Sequence, residues 1–147
     1  MTHARTQIRQ AVVTLLTGTT PAGNRVYASR VYPLDEARLP ALLVYSNQEV
    51  MNEQSLTRPR TQLRQLSLTV EGYVKAQGNV DAETDSLALA VEQVIAADPT
   101  LGGLVKDAVL DTTETQLSGD GDKPVAVVTL TFAVKYAVKE NAPQTLI

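Results

Sequence analysis

Apolar residues recur every third or fourth position between residues 3 and 17, where Ile8, Val12, Leu15 and Leu16 share one side. Arg5, Arg9 and Gln10 lie toward water, so the segment predicts an amphipathic helix. Thr17-Gly18 and Pro21-Ala22-Gly23-Asn24 end it in a loop. RVYASRVY, residues 25–32, is short and β-prone and breaks at Pro33. Pro40 opens a second strand from Ala41 to Ser46, whose ALLVY run is apolar enough to be buried on both sides. Residues 47–61 follow neither period and contain Pro59, which predicts an irregular loop longer than the common connection and therefore functional or mobile.

A third strand alternates cleanly: Leu66, Leu68, Val70, Gly72 and Val74 share one face, with Ser67, Thr69, Glu71, Tyr73 and Lys75 on the other. Leu63 has the opposite parity, as a bulge or a frayed strand start would give. Residues 80–97 carry the clearest helical stripe, Leu87, Ala90, Val91, Val94 and Ile95. Asp81, Glu83 and Asp85 crowd its dipole-favoured start, and Asp98-Pro99 ends it. A further turn is expected around Gly102-Gly103. Two strands, about 107–117 and 125–138, flank the turn-forming SGDGDKP. The resulting order, α-β-β-β-α-β-β, predicts an α+β fold: a mainly antiparallel β-sheet with two helices packed on one face. Residues 1–138 are expected to form a single domain, with 139–147 (KENAPQTLI) a flexible C-terminal tail.

At 147 residues the chain is long enough to bury a core without staples. It has no cysteine and one histidine, which removes thiolate metal sites, thiol nucleophiles, disulfides and most His-based catalysis. Its 4% aromatic content gives little for stacking single-stranded nucleic acid, and the net charge of −3 argues against a general nucleic-acid binder. No apolar run suits a membrane span or a signal peptide, so a soluble protein made in a cytoplasm is expected. Charge is uneven along the chain. Residues 1–75 carry net +4 and residues 76–147 net −7, with all eight arginines at or before Arg64. That is either a drift in surface composition or a subunit whose unlike faces meet unlike partners.

The candidate chemistry is thin. SGDGD lacks the spaced ligands and distal Glu of a calcium loop and reads as a hairpin turn. Asp35 and Glu36 are adjacent and point to opposite sides in extended chain, so they do not converge on one atom. His3 has no companion in sequence and is expected to fray with the terminus. No metal, cofactor or nucleophile–base set is expected. Arg58, Arg60 and Arg64 lie within seven residues around Pro59, with Met51 and Leu56 nearby. They read either as a solvated charged loop or as an interface element.

The run Asp35-Glu36-Ala37-Arg38-Leu39-Pro40-Ala41-Leu42-Leu43-Val44-Tyr45 resembles the minor tail protein U family, the tail terminators of lambda-like long-tailed phages. So does the ordered set around it: an N-terminal helix with an arginine, a loop after Val-Tyr, an alternating strand, an acidic helix, a Gly/Asp hairpin and a last strand of Thr-Leu-Thr-Phe-Ala-Val-Lys-Tyr, residues 129–136. The resemblance implies a virion assembly protein, and the missing nucleophile–base and metal sets point away from an enzyme; the alternative readings are another neck or tail-completion protein, or a small α+β ligand-binding module. It implies a homo-hexameric ring that caps the tail tube, halts its growth and presents a surface to the head-tail connector, in the virion tail after assembly in the host cytoplasm. The partners implied are further copies of the chain, the major tail tube protein and the connector, with no sequence-specific nucleic-acid binding and no membrane. Interface candidates are Met51, Leu56, Arg58 and Arg60 in the 47–61 loop, and Asp120 and Asp122 at the 118–123 tip. Acidic stretches rather than arginines are expected to face the channel, because arginines would hold the sliding DNA.

Overall fold

In the computed structural model, which describes residues 2–31, 38–118 and 125–147, two helices lie on one face of a six-stranded sheet. The elements in chain order are α1 (Ala4–Leu16), β1 (Val26–Tyr27), β2 (Ala41–Gln54), β3 (Thr61–Lys75), α2 (Val80–Ala97), β4 (Asp107–Ser118), β5 (Val125–Lys139) and β6 (Ala142–Leu146). The sheet runs β1-β2-β3-β5-β4, with β6 pairing the end of β5 beyond β4. Every pairing is antiparallel except the short β1–β2 contact.

Helix α1 buries Ala4, Ile8, Val12 and Leu16, a four-residue spacing that keeps one narrow stripe inward. In α2 the inward residues are Thr84, Leu87, Ala88, Val91 and Ile95. Ala90 and Val94 sit at the margin of that stripe. Both stripes meet Leu66, Leu68, Val70 and Val74 of β3 and Ala126 to Val138, taken alternately, of β5. Gly72 lies where α2 crosses β3. A methyl there would stand 2.6 Å from Leu87 Cδ2 and 3.0 Å from Val128 Cγ1, so the missing side chain sets the approach of the helix. Ala41, Leu42, Leu43 and Val44 are all buried, as expected of a strand covered on both sides. The expected turn after α2 holds Leu101, Gly102 and Gly103 at φ of 51°, 74° and 88°. That left-handed path requires glycine at two of its three positions.

Two expectations change. Residues 47–61 are mostly strand, because β2 runs unbroken to Gln54 and only 55–60 connect it to β3. Bulges at Asn47 and Asn52 reset the alternation, and beyond Asn47 most residues are exposed on both faces, so no apolar period survives to mark the strand. Residues 139–147, expected to be a loose tail, contain β6, held by Gln7 Nε2 donating to the Gln144 carbonyl (2.7 Å) and Ile147 N–H to the Ala137 carbonyl (2.9 Å). Strand β3 itself is regular, and Leu63 simply lies on the face away from the helices, opposite Glu53 and Ala137.

Candidate functional site

Where α1 begins, a compact ionic cluster joins four elements. The bulge at Asn47 shifts the phase of β2 so that Glu49, rather than Gln48, turns to the helix side. There its carboxylate accepts from Arg5 Nη1 at 2.7 Å, from Arg64 Nη1 at 3.3 Å and from the Tyr136 hydroxyl. The Glu49 and Arg64 side chains are only 9% and 10% exposed, so their opposite charges help compensate each other for lost water. Gln62 Oε1 accepts two further bonds from Arg64. Burial, and then the bond to Glu49, push the Tyr136 hydroxyl up to about 12. His3 caps α1, its Nδ1 accepting from Arg5 N–H at 3.1 Å. It is thus tied in rather than frayed, and burial followed by the nearby Arg5 charge holds its pKa below the usual value.

The three clustered arginines separate. Arg64 belongs to that buried cluster. Arg60 Nη1 donates to the Ser55 carbonyl at 3.2 Å, and its backbone and guanidinium meet the Glu140 carboxylate at the β5–β6 turn. Arg58 is exposed beside Leu56, which is 89% exposed, at the tip of the β2–β3 hairpin. Met51 lies further down β2, opposite Arg64 and 38% exposed. Thus Leu56 and Arg58 share the tip, while Met51 and Arg60 sit apart from them. Asp35, Glu36, Asp120 and Asp122 lie outside the described residues.

At the far end of the sheet an open cleft of about 510 Å³ runs between α2's first turns and Leu39-Pro40, with Val74 and Leu87 in its walls. Among the described residues no cluster of His, Asp or Glu is placed to hold a metal ion. Nor is any described helix long and apolar enough to cross a membrane. What remains prominent is surface for contact: the hairpin tip, the face of the sheet away from the helices, and the two sheet edges.

The phage minor tail protein U family matches the chain over residues 3–136, nearly its whole length. The chain belongs to that family. Its place is therefore that of a structural component of a phage tail. Among solved structures, a chain of the virion of a native gene transfer agent particle is similar at 12% identity, with a TM-score of 0.45, covering 91% of this chain and 99% of that one. No curated protein matches the chain.

The sequence pattern placed Leu56, Arg58 and Arg60 in a loop, which the structure narrows to 55–60, while the ionic cluster and the open edges were missed. A signal for the cluster was present: Arg64 is in phase with Leu66, Leu68 and Val70, and a charge on an apolar face needs a buried partner.

Proposed function

We propose that the chain is the tail terminator: a closed six-membered ring that caps the tail tube, stops its polymerisation and offers its other face to the head-tail connector. Membership of the minor tail protein U family over residues 3–136 carries this reading. The fold is compatible with it. Ring contacts are head-to-tail, so each copy needs two different, complementary patches, and an open sheet supplies them in its two unlike edges. The hairpin tip, with Leu56 and Arg58, adds a third exposed element suited to a tube contact. Asp120 and Asp122 remain candidates for the same contact.

The test is electron microscopy of the purified protein with and without tail tubes. Sixfold rings seated on tube ends, together with tubes that no longer lengthen when tube protein is added, are the expected result. Tubes that keep growing at normal rate in excess protein would refute the terminator role.

A further inference from the structure

Two strands of the sheet have a free side among the described residues. Strand β2 is covered by β1 only at Leu42 and Leu43, leaving Val44 to Gln54 without a strand beside them, apart from Arg30's bond to the Ser46 carbonyl, and β4 has β5 on one side and no strand on the other. An open strand edge is a row of unpaired N–H and C=O groups, normally blunted by charge or bulges unless it has a partner. Both edges also expose apolar side chains: Val50 is 48% exposed on β2, and Val109 and Leu117 are 51% and 71% exposed on β4.

The topology makes these edges fit each other. Strands β2 and β5 run the same way and β3 and β4 run opposite to them, because each neighbouring pair is antiparallel. A rotation about an axis near the strand direction therefore brings β4 of one copy alongside β2 of the next in the antiparallel sense that the rest of the sheet uses. The pairing rows fix the level. Tyr45, Thr69, Thr131 and Thr112 form one row across the sheet, Gln48, Ser67, Ala133 and Val109 another, and Val50, Gln65, Lys135 and Asp107 a third. Without axial shift, residues 45–50 of one copy face 107–112 of its neighbour.

Charge and irregularity agree at that level. Arg30 leans over the β2 edge, its guanidinium 4.8 Å from the Tyr45 ring and bonded to the Ser46 carbonyl and Asn47 Oδ1. On β4 the bulged residue is Asp111, exposed and without a partner among the described residues, between the rows of Ser46 and Tyr45. Its position faces Arg30. The bulge of β2 at Asn47 lies in the adjoining row, so an edge without a matching break would lose register there.

We propose that, in the ring inferred above, the β2 edge of each copy takes the β4 edge of the next as an added antiparallel strand, with Arg30 set against the neighbour's Asp111. This rests on the ring reading and specifies its interface.

The absence of cysteine makes the test clean. Gln48→Cys with Val109→Cys in one chain, oxidised with tail tubes present, should give a covalent ladder ending at a closed hexamer on a non-reducing gel. Opposed strand positions stand about 5 Å apart between β-carbons, within reach of a disulfide. Tyr45→Cys or Val50→Cys with Val109→Cys covers a two-residue slide. Rings visible by microscopy with no cross-link from any pair would overturn the edge pairing and leave the ring intact. No rings on tubes at all would overturn both. Covalent dimers from a single-cysteine variant would mean that like edges pair, which also refutes the proposal. Asp111→Arg, at an exposed position, should lower ring formation at least tenfold, and Arg30→Asp added to it should restore most of the loss. No restoration would remove the Arg30–Asp111 contact.

Discussion

Glu49 ties together α1, β2, β3 and β5 through one carboxylate. Replacing it with Gln leaves Arg64 buried without its counter-charge, and breaking such a pair costs about 3–5 kcal/mol. Urea unfolding of Glu49→Gln should show that loss, and a change below about 1 kcal/mol would mean the cluster is solvated. His3 gives a pH signature at the same place. Its folded pKa is lowered, so the unfolded chain takes up the proton first and stability falls as pH drops through the ordinary histidine range. His3→Asn keeps a cap acceptor and should flatten the profile between about pH 7 and pH 5 relative to wild type. Arg64 was legible as a charge in phase with an apolar stripe. Glu49 was not, because its inward direction is created by the bulge at Asn47, and a bulge shifts phase without leaving a mark in local composition.

Elements whose burial imposes a period were readable from the sequence, which is why α2 and the alternation of β3 and β5 emerge from the pattern. The outer half of β2 carries no such imprint, since its residues from Val50 to Gln54 are exposed and two bulges interrupt it. Strand β6 is short and polar, and tertiary contacts define it: its pairing with Val138 and Lys139, the bond from Gln7 to the Gln144 carbonyl and the packing of Leu146. Ending the chain after Glu140 should therefore destabilise the fold by about 1–2 kcal/mol, from a few lost hydrogen bonds and the cover of Leu146. Thermal unfolding checks this, and an unchanged midpoint would make residues 141–147 a passive tail. The hairpin tip behaves oppositely. Leu56→Ser with Arg58→Glu alters exposed loop positions and should change stability by under about 0.5 kcal/mol. If the tip meets the tube, the same variant should fail to cap tubes, whereas normal capping would free the tip from that role. Arg60 is left unchanged in this test because it is tied to Glu140.

For the whole molecule, if the ring closes edge to edge as proposed, that closure decides which face lines the channel. At the level of Tyr45 to Val50 four strands stand abreast. With about 4.8 Å between strands, six copies enclose a cylinder about 37 Å across between backbones. Helices are about 10 Å thick, so helix layers turned inward from opposite sides would fill most of that width. The helices must then face outward and the other face of the sheet inward. The strand residues of that face include Ser67, Thr69, Thr129 and Thr131, with Glu53, Glu71, Asp107 and Glu114 against Lys75, Lys135 and Lys139, and Arg30 stacks over Tyr45 at its β2 edge. Such a surface is nearly neutral and rich in hydroxyls, and it gives a passing duplex few counterions to release. Thr129→Lys with Thr131→Lys would place twelve added positive charges in a six-membered ring. These rings should retain duplex DNA at about 50 mM salt and release it at about 200 mM, while wild-type rings retain little at either. Co-sedimentation of rings with a linear duplex reads this directly. Steeply salt-dependent retention by wild-type rings would place the arginines in the channel instead and turn the helix face inward.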